Sequence, residues 1–333
     1  MLRFGIIGTS WITDSYIEGA LDSGLWQFTA IYSRTEERGL DFGKKYGVTN
    51  IYTDITAMAE CDDIDAVYIA SPNYLHVKHC EEFLKNKKHV ICEKPLASHV
   101  SEVIELQKTA ADNGVIFLEA IMFMHLPMKN QLAEAMGKIG NISMAKFDFC
   151  QRSSKYDSYL AGNLPNIFNP AIEAGALMDL GVYCVYPALY FFGEPESVSI
   201  DVRMLESGVD GAGVVNFRYP DKLVSIPYSK LGQAAANTDI QGDYGTVYVE
   251  SISRLANIEI LYSNGVKEPV CGDEEKYKLM GYEAIDFYKY ITQLDDPEVK
   301  KEYDICSEMS VKVTAMLEKL RKLANIKFPS DNW

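Results

Sequence analysis

Six short apolar runs alternate with helical patterns through the first 120 residues, and most of the runs stop at a turn or breaker residue. The runs are Leu2–Gly8, Phe28–Ser33, Asn50–Tyr52, Ala66–Ala70, Val90–Cys92 and Val115–Glu119. Between them lie amphipathic stretches near Asp14–Leu21, Glu36–Tyr46, Leu75–Lys85 and Val100–Asp112. Strands apolar on both faces and separated by helices must be covered on both sides, which predicts a parallel, doubly wound sheet of the Rossmann kind. From Ile142 the pattern changes to alternating runs such as VSIDVRML, AGVVNFRYP and TDIQGDYGTVYVE, divided by turn signals including Pro220-Asp221 and Asn264-Gly265. That alternation predicts a large, mostly antiparallel sheet with one open face. Helical blocks near Lys129–Met136, Glu283–Gln293 and Tyr303–Leu323 flank it. The reading is an α/β domain over 1–121 followed by an α+β domain over 122–333, the second for substrate binding and oligomerisation.

Charge narrows the partners. The chain carries 47 acidic against 32 basic residues, a net charge of −15. An acidic surface of that size repels a phosphate backbone, so nucleic acid is not an expected partner. No window of 18 or more residues is uninterrupted apolar, so no membrane partner is expected; the most apolar stretch, Leu177–Phe192, is broken by Asp179, Gly181 and Pro187. Seven cysteines, an odd number with no CxxC and no cysteine/histidine spacing for zinc, read as free thiols in a reducing cytoplasm, with no metal site.

The turn after the first strand, Gly8-Thr9-Ser10-Trp11-Ile12-Thr13, stands where a pyrophosphate would meet a helix N-terminus. The first glycine of the dinucleotide fingerprint is present as Gly8; Ser10 and Thr13 replace the other two. Gly8, Thr9, Ser10, Trp11 and Ile12 are the candidate contacts, although a plain strand-to-helix turn has the same pattern. After the second strand an NAD enzyme usually has a carboxylate for the ribose hydroxyls. This chain has Ser33-Arg34-Thr35 with Arg38 one turn on, which favours a 2′-phosphate and hence NADP over NAD. Glu36 and Glu37 keep the ribose alternative open.

Three further segments, taken with that loop, resemble the Gfo/Idh/MocA oxidoreductases. Ala70-Ser71-Pro72-Asn73-Tyr74-Leu75-His76 resembles the family's A-[ST]-P-N-x-x-H, Glu93-Lys94-Pro95 its E-K-P, and Gly175–Tyr183 (GALMDLGVY) its G-[GA]-x-[LM]-x-D-x-G-x-[HY]. The resemblance implies that Ser71, Pro72, Asn73, His76, Glu93 and Lys94 border the cofactor, and that the Lys94–Pro95 bond is cis. It further implies that Lys94, Asp179 and Tyr183 form the catalytic set. Tyrosine rather than histidine at the last position resembles the branch containing glucose-fructose oxidoreductase and the dimeric dihydrodiol dehydrogenases. Asp179 and Tyr183, four apart, would share one helix face. A phenol can supply the proton that a carbonyl oxygen needs as hydride reaches its carbon, and a neighbouring ammonium such as Lys94 would lower its pKa. By spacing alone Tyr183 is one aromatic among several, with Tyr186 and Tyr190 close by. The segment Glu119–Pro127 departs from the family by being mainly apolar apart from His125.

The expected function is an NADP-dependent oxidoreductase moving hydride between the nicotinamide and a secondary alcohol or carbonyl of a sugar, polyol or cyclic diol. The alternative is a cofactor-binding regulator or sensor with the same fold and no turnover. A homodimer or larger even oligomer is expected through the second sheet, whose outer face is taken to carry Val215, Phe217, Val247 and Val249.

Overall fold

The computed structural model of the chain describes residues 1–332. They pack as two compact units, 1–125 with 275–311, and 126–274 with 312–332. The chain therefore passes between the units three times, whereas the sequence pattern suggests a single boundary at 121/122. Residues 275–311 follow the second sheet in the chain but fold with the first.

In the first unit β1 (Leu2–Ile7), β2 (Trp26–Tyr32), β3 (Ile51–Tyr52), β4 (Ala66–Ile69), β5 (His89–Glu93) and β6 (Phe117–Ala120) form one sheet in the order β3-β2-β1-β4-β5-β6. Neighbouring strands in it are parallel. This is the order of a dinucleotide-binding fold, with its switch point between β1 and β4. The helices α1 (Trp11–Asp22), α2 (Glu36–Gly43), α3 (Ile55–Glu60), α4 (His76–Lys85), α5 (Val100–Asn113) and the short α6 (Met122–His125) complete the first pass of the chain. β4 is buried at all four positions, as a strand covered on both faces must be. Both Thr35 before α2 and Asp54 before α3 accept a hydrogen bond from a first-turn N–H, which stops the helices at these points.

The second unit contains α7 (Met128–Lys138), β7 (Ile142–Lys146), β8 (Phe149–Cys150), α8 (Tyr156–Leu160), α9 (Val182–Phe192), β9 (Ser197–Met204), β10 (Asp210–Arg218), β11 (Leu223–Ser229), β12 (Thr238–Gly242), β13 (Gly245–Ser251), β14 (Ala256–Tyr262) and β15 (Lys267–Cys271). The nine strands run β15-β14-β13-β12-β7-β11-β10-β9, with β8 also on β11. All neighbours are antiparallel except β11 with β7 and with β8. Alternation decides which face is open. Val215, Phe217, Val247 and Val249 are fully buried in this unit's core, so they are not the outer face expected from the sequence. Residues one position along point the other way, and there Val214, opposite Pro227, and Leu223, opposite Arg218 and Met144, are exposed. One segment, 170–192, is long and apolar enough to span a membrane by length and composition, and most of its most apolar window is buried inside the protein.

Two long helices, α10 (Lys276–Gln293) and α11 (Pro297–Ala324), close the chain. Helix α10 lies against α1: a Cβ at Gly19 would collide with the Tyr277 carbonyl, so glycine allows the two backbones to touch. Trp26 fixes the same contact by donating its indole N–H to the Ala284 carbonyl at 2.9 Å.

Candidate active site

The first unit gathers its candidate residues at the carboxyl ends of β1, β2, β4 and β5. Gly8 follows β1 at φ +103°, and a Cβ there would overlap the Ala70 carbonyl beyond β4. Only glycine satisfies both constraints, so the turn can cross the switch point and open α1 at Trp11. Ser10 caps α1 without using its side chain, and Trp11 is 69% exposed. Thr9 is tied to the next loop, since Arg38 donates its Nε–H to Thr9 Oγ1 at 2.9 Å. Arg34 is exposed beside it, whereas Ser33 is buried and its N–H serves the Tyr52 carbonyl. Glu36 and Glu37 are exposed in the first turn of α2, where acidic residues complement the positive helix end.

After β4 the chain runs through Ser71-Pro72 into a short 3₁₀ turn, Asn73–Leu75, that carries Asn73 half-buried. After β5 stand Glu93 and Lys94, both half-buried, and the Lys94–Pro95 bond is cis, as the family resemblance implies. His76 joins the two loops. It is 1% exposed; Nε2 lies 2.8 Å from the Ser71 carbonyl and Nδ1 lies 2.9 Å from the Pro95 carbonyl. Burial lowers the ring's pKa and the two carbonyl acceptors oppose that. Both partners only accept, so a neutral ring donates to one of them and only the imidazolium donates to both; in either state His76 stands between the Asn73 and Lys94 loops. His79, its pKa pulled down to about 4 by burial and then by His76, is neutral at physiological pH; its Nδ1 lies 3.0 Å from Ser71 Oγ. Behind Lys94, Tyr68 donates its hydroxyl to Glu93 Oε1 at 2.6 Å.

The second unit supplies a different construction. Leu177–Gly181 is a single π-helical turn that runs into α9. Such a turn offsets side chains from the ordinary four-residue stack, so the shared face expected of Asp179 and Tyr183 cannot be taken from α-helical spacing. Asp179 is ion-paired with Lys230, whose side chain is 8% exposed. The turn itself is anchored by Asp210, fully buried, which accepts the Leu177 N–H at 2.7 Å through Oδ2. Its Oδ1 faces Tyr228 electrostatically but has no hydrogen bond of good geometry. Burial raises the Asp210 carboxyl to about 6, against the opposing pull of backbone N–H donors. Tyr183 is half-buried, its ring edge-on to Phe149 at 5.5 Å between centroids. Sequence reasoning passed over Lys230 and Asp210, since each lies in a β-run with no motif around it. For Lys230 the available signal was a charge at a position that alternation along β11 assigns to the core; Asp210 gave none, because the bulge between Asp210 and Ala212 takes it out of the alternation of β10.

Three comparisons bear on this geometry. Residues 2–120 match the family model described as "Oxidoreductase family, NAD-binding Rossmann fold", and residues 131–248 match the "GFO/IDH/MocA C-terminal domain". The chain is 39% identical over 331 residues, 99% of each protein, to the scyllo-inositol 2-dehydrogenase (NADP(+)) IolU of Bacillus subtilis. It is 26% identical over 343 residues, again 99% of each, to the trans-1,2-dihydrobenzene-1,2-diol dehydrogenase of Mus musculus. The crystal structure of KijD10, a 3-ketoreductase from Actinomadura kijaniata in complex with NADP and TDP-benzene, has the same fold. The TM-score is 0.82 at 23% identity, covering 97% of this chain and 98% of that one.

Proposed function

The chain belongs to the Gfo/Idh/MocA family of oxidoreductases, and on that premise we propose that it is an NADP-dependent dehydrogenase. Its substrates would be a secondary alcohol, or the matching ketone, on a cyclic polyol, sugar or diol. The observation that carries this reading is the end-to-end identity with an enzyme named for NADP(+) and scyllo-inositol, together with a guanidinium linked to the Gly8 turn.

The residues fit the cofactor. The Gly8 turn leaves the N-terminus of α1 uncovered by a side-chain cap, suited to a pyrophosphate. Arg34 and Arg38 would hold the 2′-phosphate, with Ser33 beside them and no carboxylate directly after β2. Ser71, Pro72 and Asn73 would border the nicotinamide end. When bound, the nicotinamide supplies or accepts the hydride. Tyr183 would hold the proton that goes to or leaves the substrate oxygen. The Lys94 ammonium would favour negative charge on that oxygen and on the phenol, moving the phenol's pKa toward neutrality. Asp179, oriented by its ion pair with Lys230, would accept a hydrogen bond from a substrate hydroxyl.

Calorimetric titration of NADPH and NADH tests the cofactor. The double change Arg34→Ala with Arg38→Ala should weaken NADPH by roughly 10- to 150-fold and leave NADH nearly unchanged, since each charge-assisted contact is worth about 1.5–3 kcal/mol. Equal affinity of the wild type for both cofactors would refute the assignment. NADP(+) reduction with a panel of inositols, aldoses and cyclic diols tests the chemistry, and tight NADPH binding without any turnover would favour the sensor reading.

A further inference from the structure

One buried acid in the first unit has no part in the reading above. Glu283 on α10 is 1% exposed, and among the described residues neither of its carboxyl oxygens has a hydrogen-bond partner. Groups from several elements surround it. Tyr16 of α1 lies stacked on Tyr68 of β4, ring centroids 3.9 Å apart and planes at 5°. Glu93 of β5, Lys276 and Asp286 of α10 are within electrostatic reach, and Asp286 is itself paired with His125 of α6 at 2.8 Å. Burial, then the neighbouring Glu93, raises the Glu283 pKa well above the carboxylate range, with Lys276 opposing.

Two acids so placed do not share charge equally. Burial raises the Glu93 carboxyl too, but the Lys94 ammonium and then the Tyr68 hydroxyl, donated to Oε1 at 2.6 Å, oppose that and favour its anion. Glu283 has no donor to stabilise an anion. A buried carboxyl without donors takes up a proton before one that is hydrogen-bonded and charge-paired.

We propose that Glu283 is a proton-holding positioning residue, a neutral carboxylic acid under working conditions, whose lack of charge spares Glu93, behind Lys94, an adjacent anion. The proton on Glu283 is independent of the proposed reaction, whereas its purpose rests on the role given to Lys94. An ionised Glu283 would add a further negative charge to the cluster and cancel part of the field that Lys94 is to exert on the substrate oxygen.

Infrared spectroscopy of the full-length protein, with neither cofactor nor substrate, reads the proton directly. At neutral pH the wild type should show a carboxylic-acid carbonyl band, shifted in D₂O, that Glu283→Gln abolishes. Urea unfolding against pH gives the second readout. The folded-state pKa of Glu283 is raised, so its contribution is intact below the unfolded value of about 4.3 and is lost as pH rises toward the folded value. Between those limits the folding equilibrium of the wild type should fall relative to Glu283→Gln by up to about tenfold per pH unit. Glu283→Met, also uncharged, serves if the glutamine variant does not fold. A band unchanged in both variants, or a stability difference that is flat with pH, overturns the proposal. Activity enters neither readout, so a failed proton assignment and a failed reading of Lys94 are told apart.

Discussion

Gly8 and Gly175 both adopt positive φ next to a candidate functional turn, at +103° and +124°, but different things crowd them. At Gly8 the obstacle is main chain, the Ala70 carbonyl; at Gly175 it is a side chain, the Asp210 carboxylate. The contrast extends to both regions. In the first unit, strand ends and helix starts place the candidate residues, and the His76 ring, set between the Ser71 and Pro95 carbonyls, links loops by way of the backbone. In the second unit a π-helical turn is held by charged side chains brought in from β10 and the end of β11. A backbone-built site tolerates loss of single side chains, whereas one built on buried charges does not, because each deletion strands a charge away from water.

The contrast is sharpened most by Lys230→Met. It removes one partner of a largely buried ion pair and should destabilise the second unit by about 3 kcal/mol, read by urea unfolding. A change below about 0.5 kcal/mol, the range of surface substitutions, would erase the distinction. Next comes Tyr183→Phe, expected to reduce kcat by roughly 100-fold or more, the scale of general acid–base catalysis, with NADPH affinity unaltered. Unchanged kcat in single-turnover measurements would remove Tyr183 from the chemistry.

Asp210→Asn should act through pH. The carboxyl is raised to about 6 in the folded state, above its unfolded value, so its contribution is complete below about pH 4 and lost as pH rises through about 6. Wild type should therefore lose on the order of 2 kcal/mol between pH 4 and 7 that Asp210→Asn does not lose, measured as the difference between their unfolding curves. Parallel curves would mean that Asp210 stays ionised throughout. The smallest effect belongs to the first unit. Thr9→Val deletes the acceptor for Arg38 but leaves the Gly8 backbone intact, and should weaken NADPH only about threefold, on the scale of one exposed hydrogen bond. A loss as large as that of the double arginine variant would show that side chains, not backbone, build this turn.

Local pattern made much of the first unit legible. The Ala66–Ile69 strand, the Val100–Asn113 helix and the turn at Gly8 all appear where periodicity and breaker residues put them. Helix α3 escaped notice because six residues are too few for a helical period to show. Helix α10 starts seven residues before Glu283, where the sequence places the helix start; Gly281, a poor helix former, stands between, and its place against Gly19 is a tertiary contact that local pattern does not show. The motif residues of the second unit were visible as a string, but not the π turn that displaces them, nor Lys230 and Asp210 that hold it.

What the sequence by itself determined was the class of the two sheets, the switch-point loop and the identity of the motif residues. These depend on interactions within a few residues: side-chain periodicity, glycine at positive φ, proline after a strand. Tertiary structure alone decided that residues 275–311 return to the first unit and bring Glu283 within reach of Glu93. It also decided which face of the second sheet is open, and which distant charge neutralises Asp179. Such pairings join positions tens to hundreds of residues apart. No local preference encodes them; they are set by the free energy of burying apolar surface together with the few charges that can be matched inside it.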